Sequence, residues 1–119
     1  GSILFVSSVR GRFATKAGTT AYAPSKSAID MLTKSFATEW GEYGITVNAI
    51  APTVFRSELT EWLFADEAAE QRKGVLSRLP IGRLAGPGDF AGPILFLCSA
   101  AGGYVTGEIL NVDGGFSAN

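Results

Sequence analysis

The sequence predicts an α/β fold: a β-α-β-α-β run whose strands lie parallel in one sheet. Three short apolar runs, "ILFVSS", "ITVNAIAP" and "GEILNVDGG", have the length and composition of strands. Between them lie segments with apolar residues at helical spacing. Alternation of this kind builds parallel sheets with helical crossovers. No internal repeat, linker or low-complexity tract interrupts it.

In chain order, Ile3 to Ser8 is a continuous apolar run ending in hydroxyls, which predicts a strand buried on both faces. "VRGRFATKAGTT" follows as a loop. From Ala23 to Gly41, the residues Ile29, Leu32, Phe36 and Trp40 recur at three- and four-residue spacing, while Asp30, Lys34 and Glu39 can face outward. Gly41 and Gly44 are stop signals, and the second strand closes at Pro52. Ser57 to Lys73 reads as helical, with Trp62, Leu63 and Phe64 as an apolar patch in its middle. "AGPGDF" starts a further apolar helix through Cys98, in which Pro93 is expected to produce a kink. The last strand ends in a glycine turn. Three strands amount to half of a doubly wound sheet, so the first would lie at an edge, and the chain reads as incomplete at its N-terminus.

The 119 residues allow one domain or part of one. Hydrophobic residues make up 46% and charged residues 18%, a composition for a packed core rather than disorder. A net charge of −1 gives no electrostatic case for nucleic acid or an anionic membrane. No apolar run is long enough to span a bilayer and no signal-peptide pattern opens the chain, so a soluble, cytoplasmic protein is expected. The single Cys98, in "ILFLCSA", reads as a buried free thiol, and no metal site is expected. With no histidine, proton chemistry must use Tyr, Lys, Asp, Glu or water.

"TTAYAPSKSA" sets Tyr22 and Lys26 four positions apart. If Tyr22 opens the helix, Lys26 projects from the same face one turn on. A free tyrosine titrates near ~10, too high for a base at neutral pH, but a fixed ammonium favours the phenolate while desolvation opposes it. Such a pair can exchange a proton with an alcohol or ketone oxygen. The same spacing also fits a solvated helix face. What separates the two is "VSSVRG", a strand ending in two serines before a glycine-bearing loop, because ligands in open α/β sheets bind at the carboxyl ends of strands. Ser8 lies there, able to donate a hydrogen bond to a substrate oxygen or to form a turn.

"SSVRG", "AYAPSK", "GITVNAIAP", "IGRLAGPGDFAGPILFLCS" and "YVTGEILNVDGG", in that order, resemble the C-terminal half of a classical short-chain dehydrogenase/reductase. The resemblance covers nearly the whole chain. It implies a Rossmann-like doubly wound sheet, layered α/β/α when complete, of which residues 1–119 are the catalytic half. It also implies interconversion of a secondary alcohol and a ketone with NAD or NADP. Tyr22 is then the acid/base and Ser8, preferred to Ser7 as the serine shortly before the glycine, polarises the carbonyl. Lys26 favours the phenolate and hydrogen-bonds the nicotinamide ribose. The nicotinamide end would lie along Pro52, Thr53, Val54, Phe55 and Ser57. Thr53 stands where the family has glycine, so its backbone is expected in an ordinary region. Ser57 replaces a threonine and keeps the hydroxyl.

The family's glycine-rich dinucleotide motif, the residue selecting NAD or NADP, and a catalytic asparagine belong to a preceding half. These residues alone are therefore expected neither to bind the dinucleotide nor to turn over. The competing reading is a non-catalytic packing or assembly module that kept the fold. The 57–73 segment resembles the family's substrate lid, and the look-alikes include 3-oxoacyl reductases and sugar-acid or polyol dehydrogenases. The apolar surplus on the helix from Asp89 to Cys98 and the last strand imply a homo-oligomer, a tetramer by the resemblance.

Overall fold

The structure, a computed structural model, describes residues 1–118. Strands β1 (Ser2–Val6), β2 (Thr46–Pro52) and β3 (Ile109–Val112) form one parallel sheet in that order. Helix α1 (Tyr22–Trp40) joins β1 to β2, and α2 (Ala69–Leu76) and α3 (Gly88–Cys98) lie between β2 and β3. Val6 pairs with Ile50 and Pro52 with Val112, so all three strands finish at the same end of the sheet.

Alternation along the strands sends side chains to two helical layers. On one face Ile50 packs with Phe90 and Leu97 of α3, flanked by Leu4, Leu110 and Val112. On the other, the rings of Phe5 and Phe36 of α1 lie 6.2 Å apart, and Phe36 stacks on Trp40 at 4.1 Å. β2, covered from both sides, is buried from Val47 to Pro52. Within it Asn48 is only 1% exposed; its amide donates to the Val105 carbonyl (2.8 Å) and accepts from the Glu108 N–H (3.0 Å).

α1 runs one residue earlier than its apolar spacing requires and ends at Trp40. A 3-10 turn over Gly41–Tyr43 follows, and Gly44, at φ 69°, takes the left-handed conformation that stops the chain from continuing as helix. Thr53 has ordinary φ, as expected of a β-branched residue, since only glycines have positive φ among the described residues. α3 runs from Gly88 to Cys98 as one helix with Pro93 inside it. No helix among the described residues is long and apolar enough to cross a membrane.

Five expectations need correction. Asp30 does not face outward: its side chain is only 13% exposed, takes the Ser7 hydroxyl and lies 3.7 Å from the Arg12 guanidinium. Leu32 is exposed, and the residues that α1 buries are Thr33 and Ala37. β1 is not buried on both faces: as an edge strand it is at most half-buried, and Val6 is 54% exposed. Cys98 is exposed, because α3 buries one side only and Leu97 takes the inward position beside it. The 57–73 segment is not one helix. It is a 3-10 stretch over Glu58–Phe64, an extended Ala65, a 3-10 turn over Asp66–Ala68 and the short α2. Trp62, Leu63 and Phe64 are consecutive, so no single helical face could bury all three. The chain breaks and buries Leu63 alone, leaving Trp62 exposed.

The start of α3 is fixed by Asp89. Its carboxylate takes a forked pair of hydrogen bonds from Arg83 (2.8 and 2.7 Å) and a third from the Gly86 N–H (2.8 Å). These bonds, Arg83 first, hold its carboxyl well below the usual carboxylate range. A folded-state value below the unfolded one means the stabilisation is present above the unfolded value, near ~3.9, and is lost as pH falls toward the folded one. Asp89→Asn should therefore lower the melting temperature at pH 7, by a gap that narrows in acid. Melts across pH 2–7 check this; a gap independent of pH would assign the effect to neutral hydrogen bonds.

Candidate active site

Tyr22 is the first residue of α1 and Lys26 lies one turn on. The Lys26 Nζ sits 5.6 Å from the Tyr22 ring centre and donates to the Val6 carbonyl, the last residue of β1, at 2.9 Å. The ammonium thus bridges the strand end and the tyrosine. The Tyr22 side chain remains 46% exposed.

The turn after β1 is tied to α1 at several points. The Ser7 hydroxyl, buried, hydrogen-bonds the Asp30 carboxylate and lies 3.4 Å from the Lys26 carbonyl. Ser27 donates to the Gly11 carbonyl at 2.5 Å. Gly11 approaches the helix so closely that a Cβ there would lie 3.0 Å from the Asp30 carboxylate and 3.1 Å from the Lys26 carbonyl carbon. Ser8 behaves differently from Ser7. Its Oγ accepts from the Arg10 N–H at 3.1 Å, which leaves the hydroxyl proton available. Ser7 is committed to the helix; Ser8 is not.

Ser8, Tyr22 and Lys26 open into one cavity of about 580 Å³ at the carboxyl end of the sheet. The sequence-predicted loop lines it too, through Pro52, Thr53, Val54, Phe55 and Ser57. That loop is well anchored: Phe55 packs edge-on against Phe90 at 5.0 Å, and its carbonyl accepts from the Thr60 hydroxyl at 2.5 Å. Ser57 caps the following 3-10 stretch, with its N–H donating to Thr60 Oγ1 at 2.9 Å. Every predicted site residue therefore reaches a common space.

The 57–73 segment lines the same cavity, through Leu59, 83% exposed, and Thr60 of the 3-10 stretch and Gln71 of α2. Sequence reasoning passed over Val75 of α2 and Phe116 of the C-terminal turn. Asp113 sets that turn by accepting from the Gly115 and Ser117 N–H groups, each at 3.0 Å. Arg10 and Arg78 also line the cavity and converge on the Phe116 ring, at 5.4 and 5.8 Å from its centre. Burial, and secondarily the charge of Arg78, lower the Arg10 pKa below its ordinary value. The available signal was the position of Arg10, two residues beyond Ser8.

Comparison with known proteins gives this geometry its kinship. A family model described as "Enoyl-(Acyl carrier protein) reductase" matches residues 1–117. An "Uncharacterized oxidoreductase" of Mycobacterium tuberculosis is 48% identical over 120 residues, covering 99% of this chain and 44% of the relative. The crystal structure of a gluconate 5-dehydrogenase from Burkholderia cenocepacia, in complex with NADP and tartrate, superposes with a TM-score of 0.93 at 36% identity, covering 100% of this chain and 46% of that one. A short-chain type dehydrogenase/reductase from Mycobacterium ulcerans gives 0.92 at 33% identity, with 100% and 42% covered. The chain spans less than half the length of these relatives. A match running from residue 1 to residue 117, on the backbone of solved relatives that share a third of its residues, makes this chain a member of the short-chain dehydrogenase/reductase family.

Proposed function

We propose that residues 1–119 are the C-terminal catalytic half of a cytoplasmic NAD- or NADP-dependent oxidoreductase that interconverts a secondary alcohol and a ketone. One observation carries this reading: Ser8, Tyr22 and Lys26 share a single cavity with the Pro52–Ser57 loop. The Tyr22 phenol takes the proton from an alcohol oxygen in oxidation and returns it in reduction. The Ser8 hydroxyl, its oxygen already accepting from Arg10 N–H, donates to the same substrate oxygen and holds it beside the phenol. The Lys26 ammonium stabilises negative charge on the tyrosine oxygen.

The residues fit a nicotinamide group. Lys26 offers donors to a ribose, Val54 and Phe55 line the wall where a carboxamide would lie, and Ser57 adds a hydroxyl. When bound, that group supplies or accepts the hydride. NADP is bound in the Burkholderia gluconate 5-dehydrogenase structure, which supports a nicotinamide dinucleotide here. That relative also supports a sugar-acid substrate, while the words "Acyl carrier protein" in the description of the family model support an acyl-chain one. The direct test is spectrophotometric. The complete protein should produce reduced nicotinamide from a secondary alcohol panel; inertness toward every alcohol and ketone offered, with folded protein, refutes the reading.

A homo-oligomer, a tetramer, is part of the same proposal. Ile94, Leu95 and Phe96 on the outer side of α3 are 36%, 68% and 42% exposed, a contiguous apolar row that water does not favour. Light scattering of the complete protein at micromolar concentration should give four times the monomer mass, and a monomer would refute it.

A further inference from the structure

The cavity wall is electrically one-sided. Arg10, Lys26 and Arg78 line it, and no aspartate or glutamate does. The ion pairs among the described residues engage Arg12, Arg56 and Arg83, which leaves Arg10 and Arg78 without a carboxylate partner there. Both guanidiniums nevertheless gather on the ring of Phe116, one from the turn after β1 and one from the segment after α2. Two cations drawn over one aromatic ring repel each other, and burial adds to the cost for Arg10. An anion between them would reverse both penalties. Guanidinium suits a carboxylate in particular, since its planar fork matches two oxygens.

We infer that Arg10 and Arg78 form a carboxylate subsite, so that the substrate is a hydroxy acid or its keto acid rather than a neutral alcohol. The inference rests on the Tyr22-centred reading for the location of the reacting carbon. Arg10 is two residues from Ser8, so the subsite and the polarising hydroxyl belong to one short turn. A substrate held by its acid group at Phe116 would be oriented toward the phenol by its far end. The phosphates of the dinucleotide are the other source of negative charge that could meet these arginines.

The test uses D-gluconate and D-sorbitol, six-carbon chains that differ by a carboxylate in place of a hydroxymethyl group. The complete protein should prefer gluconate, and the gluconate-over-sorbitol ratio of kcat/KM should fall at least about tenfold in Arg78→Gln and in Arg10→Gln. Arg78→Lys should restore part of it, and the preference should shrink as salt is raised. The KM for the dinucleotide should not move. A ratio unchanged in both glutamine variants overturns the subsite, as does a rise in dinucleotide KM without loss of acid preference, which would assign the arginines to phosphate. Calorimetric binding of gluconate to wild type and to the doubly substituted protein separates this from the catalytic reading. Arginine-dependent binding without turnover of either compound keeps the subsite and removes the oxidoreductase; equal or absent binding to both proteins removes the subsite.

Discussion

Tyr22→Phe in the complete protein should abolish measurable turnover, a loss on the order of 10³-fold, while the affinity for the dinucleotide stays within a factor of two or three. The phenol oxygen is the only proton donor and acceptor proposed for the reacting oxygen, and the chain has no histidine to replace it. The substitution is structurally gentle: the side chain is 46% exposed, and the ring that neighbours the Lys26 ammonium is retained. Steady-state kinetics and dinucleotide titration, performed together, separate lost chemistry from lost binding. Residual activity above about a tenth of wild type would remove Tyr22 from its role.

Asn48→Leu should cost about 3 kcal/mol of stability. The leucine keeps the branched skeleton but is bulkier at a position 1% exposed, and it leaves two part-buried backbone groups, the Val105 carbonyl and the Glu108 N–H, without their partners. Those groups belong to the approach to β3, so the loss strikes the joint between the central strand and the last one. Urea unfolding should show a lower midpoint with an unchanged slope. A shift worth less than ~0.5 kcal/mol would mean that water replaces the amide at that joint.

The elements that sequence made legible are those whose pattern reports a single physical constraint. β2 reads as a continuous apolar run because it is covered on both faces. The existence of α1 was legible from its periodic apolar residues, but its buried line was not: Thr33 and Ala37 are small enough for close approach and carry the contact, while Leu32 is exposed. That Tyr22, Lys26 and Ser8 would share one space was legible, because the start of a helix and the end of a strand meet at the carboxyl end of a parallel sheet. Arg10, Val75 and Phe116 were not. They come from three separate stretches of chain, and nothing in their local sequence says that they face a common space. Arg78 meets Arg10 only through tertiary packing, 68 residues away in the sequence. The 57–73 segment misled because helix propensity was good and packing did not reward a continuous helix. Cys98 misled because an apolar neighbourhood in sequence is not burial when a helix shows only one side to its sheet.

The ties within the chain divide the cavity into two independently braced parts. Ser7, Ser27 and Lys26 fasten the β1 turn to α1 without using any residue of the 57–78 segment. That segment is braced by its own bonds: the Ser57–Thr60 cap, the Arg56–Glu61 pair, and Arg72 donating to the carbonyls of Leu63 and Ala65 at 3.0 and 3.1 Å. Substitutions along Leu59, Gln71 and Val75 can therefore reshape what the cavity admits without disturbing the tyrosine–lysine geometry. Under the proposed function, substrate range and chemistry become separately heritable: rewriting one short stretch changes what enters the cavity and leaves the tyrosine–lysine pair as it was.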